Sequence, residues 1–228
     1  PAHANATTAV PTCFSVAGHD WSLHTDSSPA LARLAGALTL PEPAEDRALP
    51  RVELIQEACG YGIMVGTDRV ASHLGLAELG PRLIDELGRR ALTEDQILID
   101  AGFLVHPDTP DAAVLVVMAD DDWQPLRVLV EPLGYRLIRG LAWQRQSRNR
   151  VRVLALPLTM PGGRLIAPPA CPSTELRIVG AATWDDDASQ PTPLALLTAL
   201  LPTSRHADKT PPDGHDVTAL LDWLAALP

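Results

Sequence analysis

The sequence predicts a mixed α/β (α+β) chain, with a small N-terminal strand–helix unit leading into a larger strand-rich unit. Two observations carry this. Short, strongly apolar runs such as "QILIDAGFLV" (96–105) and "AAVLVVMA" (112–119) have the length of buried strands. Elsewhere apolar residues recur at helical spacing, as in Leu31, Leu34, Ala35 and Leu38, or in Val217, Leu220, Leu221 and Leu224. No internal repeat is present.

The elements follow in order. Residues 1–11 predict a flexible tail, residues 12–90 an N-terminal α+β unit, and residues 91–228 the larger unit. "CFSVAGHDWSLHTD" (13–26) predicts a hairpin: Phe14 and Val16 alternate in one arm, Trp21 and Leu23 in the other, with Gly18-His19 near the turn. Ser28 can cap the next helix and Pro29 suits its first turn. "PEPAEDRALP" (41–50) is a Pro-bracketed charged linker. "RVELIQEA" and "YGIMVGTD" predict short strands around Gly60. Residues 68–90 predict helix, broken near Gly80-Pro81. In the second unit, Pro107, Asp108 and Pro110 fill a turn between the two apolar strands. A short helix is expected over 125–133, strands over "YRLIRG", "NRVRVLAL" and "TELRIVGA", and helices over 192–201 and 215–227.

Composition excludes some roles. The 228 residues are 46% hydrophobic, enough for a substantial core. The net charge of −10 argues against a nucleic-acid partner, because a broad basic surface is missing. The basic residues are arginines except for Lys209. Cys13, Cys59 and Cys171 fit no zinc spacing and no disulfide framework, which suits reduced thiols in a cytoplasmic protein. No apolar run reaches the roughly 18 residues that a membrane helix needs. The first residues lack the basic-then-apolar order of a signal peptide.

Residues 114–140, "VLVVMADDDWQPLRVLVEPLGYRLIRG", have the order of a nucleotide-binding unit: strand, loop, helix, strand. A phosphate loop needs glycines for close backbone approach, amide donors and a lysine. Here the loop holds Asp120, Asp121, Asp122 and Trp123, and Arg127 is the nearest cation. Carboxylates facing a polyphosphate repel it, at about 4 kcal/mol per pair ~4 Å apart with an effective dielectric of ~20. Pro125 removes a further amide donor.

The pieces "ILIDAGFLVHPDTPDAAVLVV", "LVEPLGYRLIRG", "NRVRVLALPLTM" and "VTALLDWLAALP" together resemble the HPr kinase/phosphorylase-like family, whose core is related to that of phosphoenolpyruvate carboxykinase. The resemblance runs from about residue 13 to the end of the chain and implies that core over 91–228, without a Walker A loop. Its departures fall on the family's ATP-handling positions. The loop and its lysine are gone. Asp100 stands where the family has a strand histidine, and Arg139, Gly140 and Leu141 stand where it has an acidic pair. Altered together, these positions imply a catalytically inactive relative with no catalytic residue, cofactor or metal.

"RLIRGLAWQRQSRNRVR" concentrates Arg136, Arg139, Arg145, Arg148, Arg150 and Arg152 in an otherwise acidic chain. On an extended strand Arg148, Arg150 and Arg152 share one face, as a ribbon for an acidic peptide or as a solvated face balanced by the chain's own acids. The Asp120–Asp122 and Asp185–Asp187 runs suit either solvated loops or a hard cation. Asp20, His24 and Asp26 fall on one face of the hairpin, an exposed face rather than a converging ligand set. Trp21, Trp143 and Trp223 are expected in or beside the core.

The function expected is therefore binding: an accessory or regulatory subunit for a protein or peptide partner, in a family whose relatives are kinases of proteins and of ribosomally made peptides. A metal-dependent enzyme or noncanonical phosphotransferase on the same scaffold is the alternative. A structural subunit of a homo- or hetero-oligomer is a third reading.

Overall fold

Alternating burial along short strands builds the first sheet. A computed structural model describes residues 12–26, 28–38, 48–118, 122–159, 165–166, 175–183 and 191–228. Strands β1 (Thr12–Val16) and β2 (His19–Thr25) form the expected hairpin, with Val16 paired to His19. Its two turn residues, Ala17 and Gly18, both take positive φ, as a tight two-residue hairpin turn requires. Phe14, Val16, Trp21 and Leu23 point into the core. Helix α1 (Pro29–Leu38) follows; the Ser28 carbonyl accepts its first bond, from Ala32, and Leu31 and Leu34 are buried. Strand β3 (Arg51–Glu57) lies parallel to β2, and β4 (Gly60–Val65) and β5 (Asp68–Leu74) extend the sheet in the order β1-β2-β3-β4-β5.

Two sequence expectations are corrected here. Residues 68–74 are a strand, not the start of a helix. β5 is an outer strand with both faces largely exposed, so it carries no apolar alternation to betray it. Helix α2 (Leu76–Arg90) then runs unbroken through Pro81. The lost amide bond and ring clash cost about 3 kcal/mol. Burial of Leu79, Leu83, Ile84 and Leu87, at about 1.5–3 kcal/mol each, outweighs that. The Glu78 carboxylate also reaches back to the Gly75 amide at 2.7 Å and ties down the helix start.

The larger unit is built on β6 (Gln96–Val105), β7 (Ala112–Val117), β8 (Arg136–Gln144) and β9 (Arg150–Leu156). Helix α3 (Trp123–Val130) and a 3-10 turn (Glu131–Leu133) connect β7 to β8. A two-stranded pair, β10 (Leu158–Thr159) with β11 (Leu165–Ile166), comes next, then β12 (Glu175–Thr183), α4 (Pro193–Leu200), β13 (Arg205–His206) and α5 (Gly214–Ala225). The strand order is β13-β6-β7-β12-β9-β8, and β6 pairs β8 as well as β7. Five strands therefore close into a ring of ladders, antiparallel except for β7 with β12.

One side of these strands carries Ile97, Ile99, Phe103, Leu115, Trp143, Val151 and Ile178, packed with Leu196, Leu200, Leu220 and Trp223 of α4 and α5. Trp21, Trp143 and Trp223 are all buried. The chain divides into residues 1–86 with 157–167, and 87–156 with 168–228. Among the described residues it is a mixed α+β protein, with two mixed sheets and five α-helices.

Candidate functional site

In the sequence, Asp120–Asp122 fall between β7 and α3. Asp120 and Asp121 fall outside the described residues. Asp122 directly precedes α3 and makes no side-chain capping bond. Trp123 opens the helix and is buried. Its ring lies over Gly102 of β6, where a Cβ would come within 2.6 Å of the indole; only glycine leaves room for it. Arg127 pairs with Glu131 one helical turn on, along α3 itself. The Gln124 Oε1 is buried with no hydrogen-bond partner among the described residues.

Beneath Trp123, Asp100 and Arg139 meet each other. Arg139 donates from Nε to Asp100 Oδ1 at 2.6 Å and from Nη2 to Oδ2. The guanidinium carbon sits 5.5 Å from the centroid of the Trp123 ring, within cation–π range. Local irregularities aim the two side chains. In the β6–β8 ladder Ile99 pairs with Leu141 and Gly102 with Arg139, so Asp100 and Ala101 face the single residue Gly140. Gly140 takes φ +91, and a Cβ there would strike Leu156 at 2.6 Å. A bulge of this kind redirects side chains out of simple alternation. Both carboxylate oxygens accept from the guanidinium fork.

The other arginines of the cluster separate into distinct environments. Arg139 is buried, so it is removed from any partner-facing surface. Arg136 is half-buried at the start of β8. Arg145, in the β8–β9 turn, bonds Asp216 Oδ1 through Nη2 at 2.5 Å and lies 3.7 Å from Asp213. Arg152 donates to the Ala91 carbonyl at 3.0 Å. Arg148 and Arg150 are exposed, and their side chains have no hydrogen-bond or ionic partner among the described residues. Arg148 lies in the turn before β9, so the expected three-arginine strand face shrinks to Arg150 and Arg152.

A second polar centre was not foreseen. Asp216, in the first turn of α5, is nearly fully buried. It accepts from Arg145, from His206 Nε2 at 3.0 Å and from the Asp213 amide at 3.1 Å, while Asp213 caps the helix in return. Burial disfavours its charge, yet the bonds from Arg145, Asp213 and His206 outweigh that and hold its pKa below the ordinary value. A pocket of about 310 Å³ opens here, lined by Glu94, Asp95, Gln144, Arg145, Gln146, His206 and Asp216. Only the spacing of "DGHD" as a helix start hinted at this centre.

Among the described residues, no three His, Cys, Asp or Glu side chains group as metal ligands. Asp26 instead accepts the Ser28 and Gln56 amides, and His24 contacts Ser22 at 2.9 Å. Asp185–Asp187 lie outside the described residues. No described helix is long and apolar enough to cross a membrane. The sequence reading also missed Arg177 on β12, whose strand was expected but whose neighbour was not. In the β12–β9 ladder Arg177 sits directly opposite Arg150. Comparison with known proteins returned no matching family model, curated protein or solved structure.

Proposed function

We propose that this chain is a catalytically inactive protein on an HPr kinase/phosphorylase-like scaffold, acting as a binding or accessory subunit for a protein or peptide partner. The observation that carries the reading is the Asp100–Arg139 pair under Trp123. In an active relative these positions hold a histidine and an acid that serve the nucleotide. Here they neutralise each other, and a buried indole lies over the guanidinium. An ion pair of this kind supplies internal structure and leaves no group poised for phosphoryl transfer. The approach to this position adds acid and no lysine, which disfavours a triphosphate further.

The test is a melting curve with ATP and magnesium. A ligand raises stability only when it binds the native state, by about 2.7 kcal/mol at one hundred times its Kd. The expected result is a melting temperature unchanged up to millimolar ATP-Mg. A saturable rise, lost in an Arg127→Ala or Asp122→Ala variant, would overturn the reading.

A further inference from the structure

We infer that the outward face of the β9–β12 ladder, bearing Arg150 and Arg177 with Arg148 in the turn before β9, is a docking surface for an acidic, extended segment of a partner protein. This rests on the reading that the chain works by binding, and it names the chemistry of the partner.

The argument begins with register. β9 and β12 run antiparallel, with Arg150 opposite Arg177 and Arg152 opposite Glu175. Val151, Val153, Leu176 and Ile178 are buried in the core, so alternation turns Arg150 and Arg177 outward on one face. Directly opposed residues hold their Cβ atoms about 4.5–5.5 Å apart, and like charges there repel. Neither guanidinium, nor that of Arg148, has a hydrogen-bond or ionic partner among the described residues. This occurs in a chain with 28 acidic residues against 18 basic ones. Of the acids nearby, Glu175 stands opposite Arg152, Asp111 offers Arg177 its backbone carbonyl, and Asp222 lines the groove beside Arg148; none makes an ion pair with the three arginines among the described residues.

The backbone carrying these side chains is held firmly. Trp223 donates its indole N–H to the Arg148 carbonyl. The Ile178 amide reaches the Asn149 carbonyl at 2.6 Å, and the Arg177 amide the Asp111 carbonyl at 2.8 Å. A fixed frame loses little backbone freedom when an anion reaches these guanidinium groups. Beside Arg148 lies an open groove of about 680 Å³, bounded among others by Asn149, Ala219, Asp222, Trp223 and Ala226. It offers room for an apolar side chain next to the charged groups. Arg150 and Arg177 stand side by side across the ladder, so the complement is an extended segment whose carboxylates gather on one face, as alternation provides.

The probe is a fluorescein-labelled ten-residue peptide alternating Glu and Val, with a Gln-for-Glu control peptide, read by fluorescence anisotropy. The protein is expected to bind the Glu peptide, more weakly as salt rises, and not the Gln peptide. Arg177→Glu places a carboxylate opposite Arg150, so it is expected to keep or raise the melting temperature while weakening peptide binding about tenfold or more. That combination separates lost recognition from lost folding. Equal binding of the two peptides, or unchanged affinity in Arg177→Glu and in Arg150→Glu, would overturn the inference. So would tighter binding of a single-stranded oligonucleotide than of the Glu peptide. No peptide binding together with a flat ATP-Mg melting curve sinks this inference and leaves the binding-subunit reading standing. A saturable ATP response sinks that reading whatever the peptide does.

Discussion

Replacing Asp100 by Asn tests the pair beneath Trp123 most directly. The Arg139 side chain is 9% exposed, and its guanidinium stays charged at any accessible pH. Breaking a fully buried pair costs about 3–5 kcal/mol, because the surviving charge is left without compensation. The Asp100 side chain is 26% exposed, so water can enter the vacated side and lower the penalty. The expected loss is about 2–4 kcal/mol. In a chain of this size that corresponds to roughly 5–12 °C in melting temperature. Arg139→Leu should cost less, since the 26% exposed Asp100 side chain can turn toward solvent. Asp100→Leu with Arg139→Leu should return close to the parent stability, because apolar replacement of both partners removes the desolvation penalty as well. Urea denaturation of the parent, Asp100→Leu, Arg139→Leu and the double variant gives the coupling energy, expected near 2 kcal/mol. Additivity to within about 0.5 kcal/mol would show that the two side chains do not act as a unit and would remove the basis of the functional reading.

Other substitutions probe the surrounding frame. Gly102→Ala forces a methyl group into the Trp123 ring and is expected to cost about 1–3 kcal/mol in thermal or urea unfolding, with quenched or shifted tryptophan fluorescence as the ring moves. Asp216→Asn should destabilise by about 1–2 kcal/mol near neutral pH; the Arg145 partner is half-exposed, which limits its share, and the weakened cap adds the rest. Because the native pKa of Asp216 lies below its ordinary value, its stabilisation is complete above about pH 5 and fades as pH falls through the native value. The gap between parent and variant in a series of melting curves should therefore narrow below about pH 4 and stay constant above about pH 5.

Much of the frame was legible from local pattern. The runs at 96–105 and 112–119 became β6 and β7 because strands buried on both faces must be apolar throughout. The hairpin at 13–26 was visible because one face of it is buried and the other wet. β5 was not, since "DRVASHL" buries neither face fully and runs straight into a helical pattern. At the candidate site, Asp100 and Arg139 could each be noticed singly, Asp100 inside an apolar strand and Arg139 within an arginine-rich run. Their union could not: they stand 39 residues apart, and the bulge that aims them appears only once β6 and β8 are in register. For the same reason Arg177 gained meaning only when β12 was laid against β9.

The closed ring of ladders carries a consequence for biosynthesis. β7 receives its parallel neighbour only from the stretch that ends by pairing Thr183 with Val117, long after β6, β7 and β8 have left the ribosome. Until then one flank of Ala112–Val117, an uncharged valine-rich strand, offers its amides and carbonyls to any passing chain. Non-local pairing of this sort is slow, so the nascent chain passes through a window of stickiness that closes only with the arrival of β12. Expression yield, rather than the stability of the finished fold, is where a weakened β12 would be felt first.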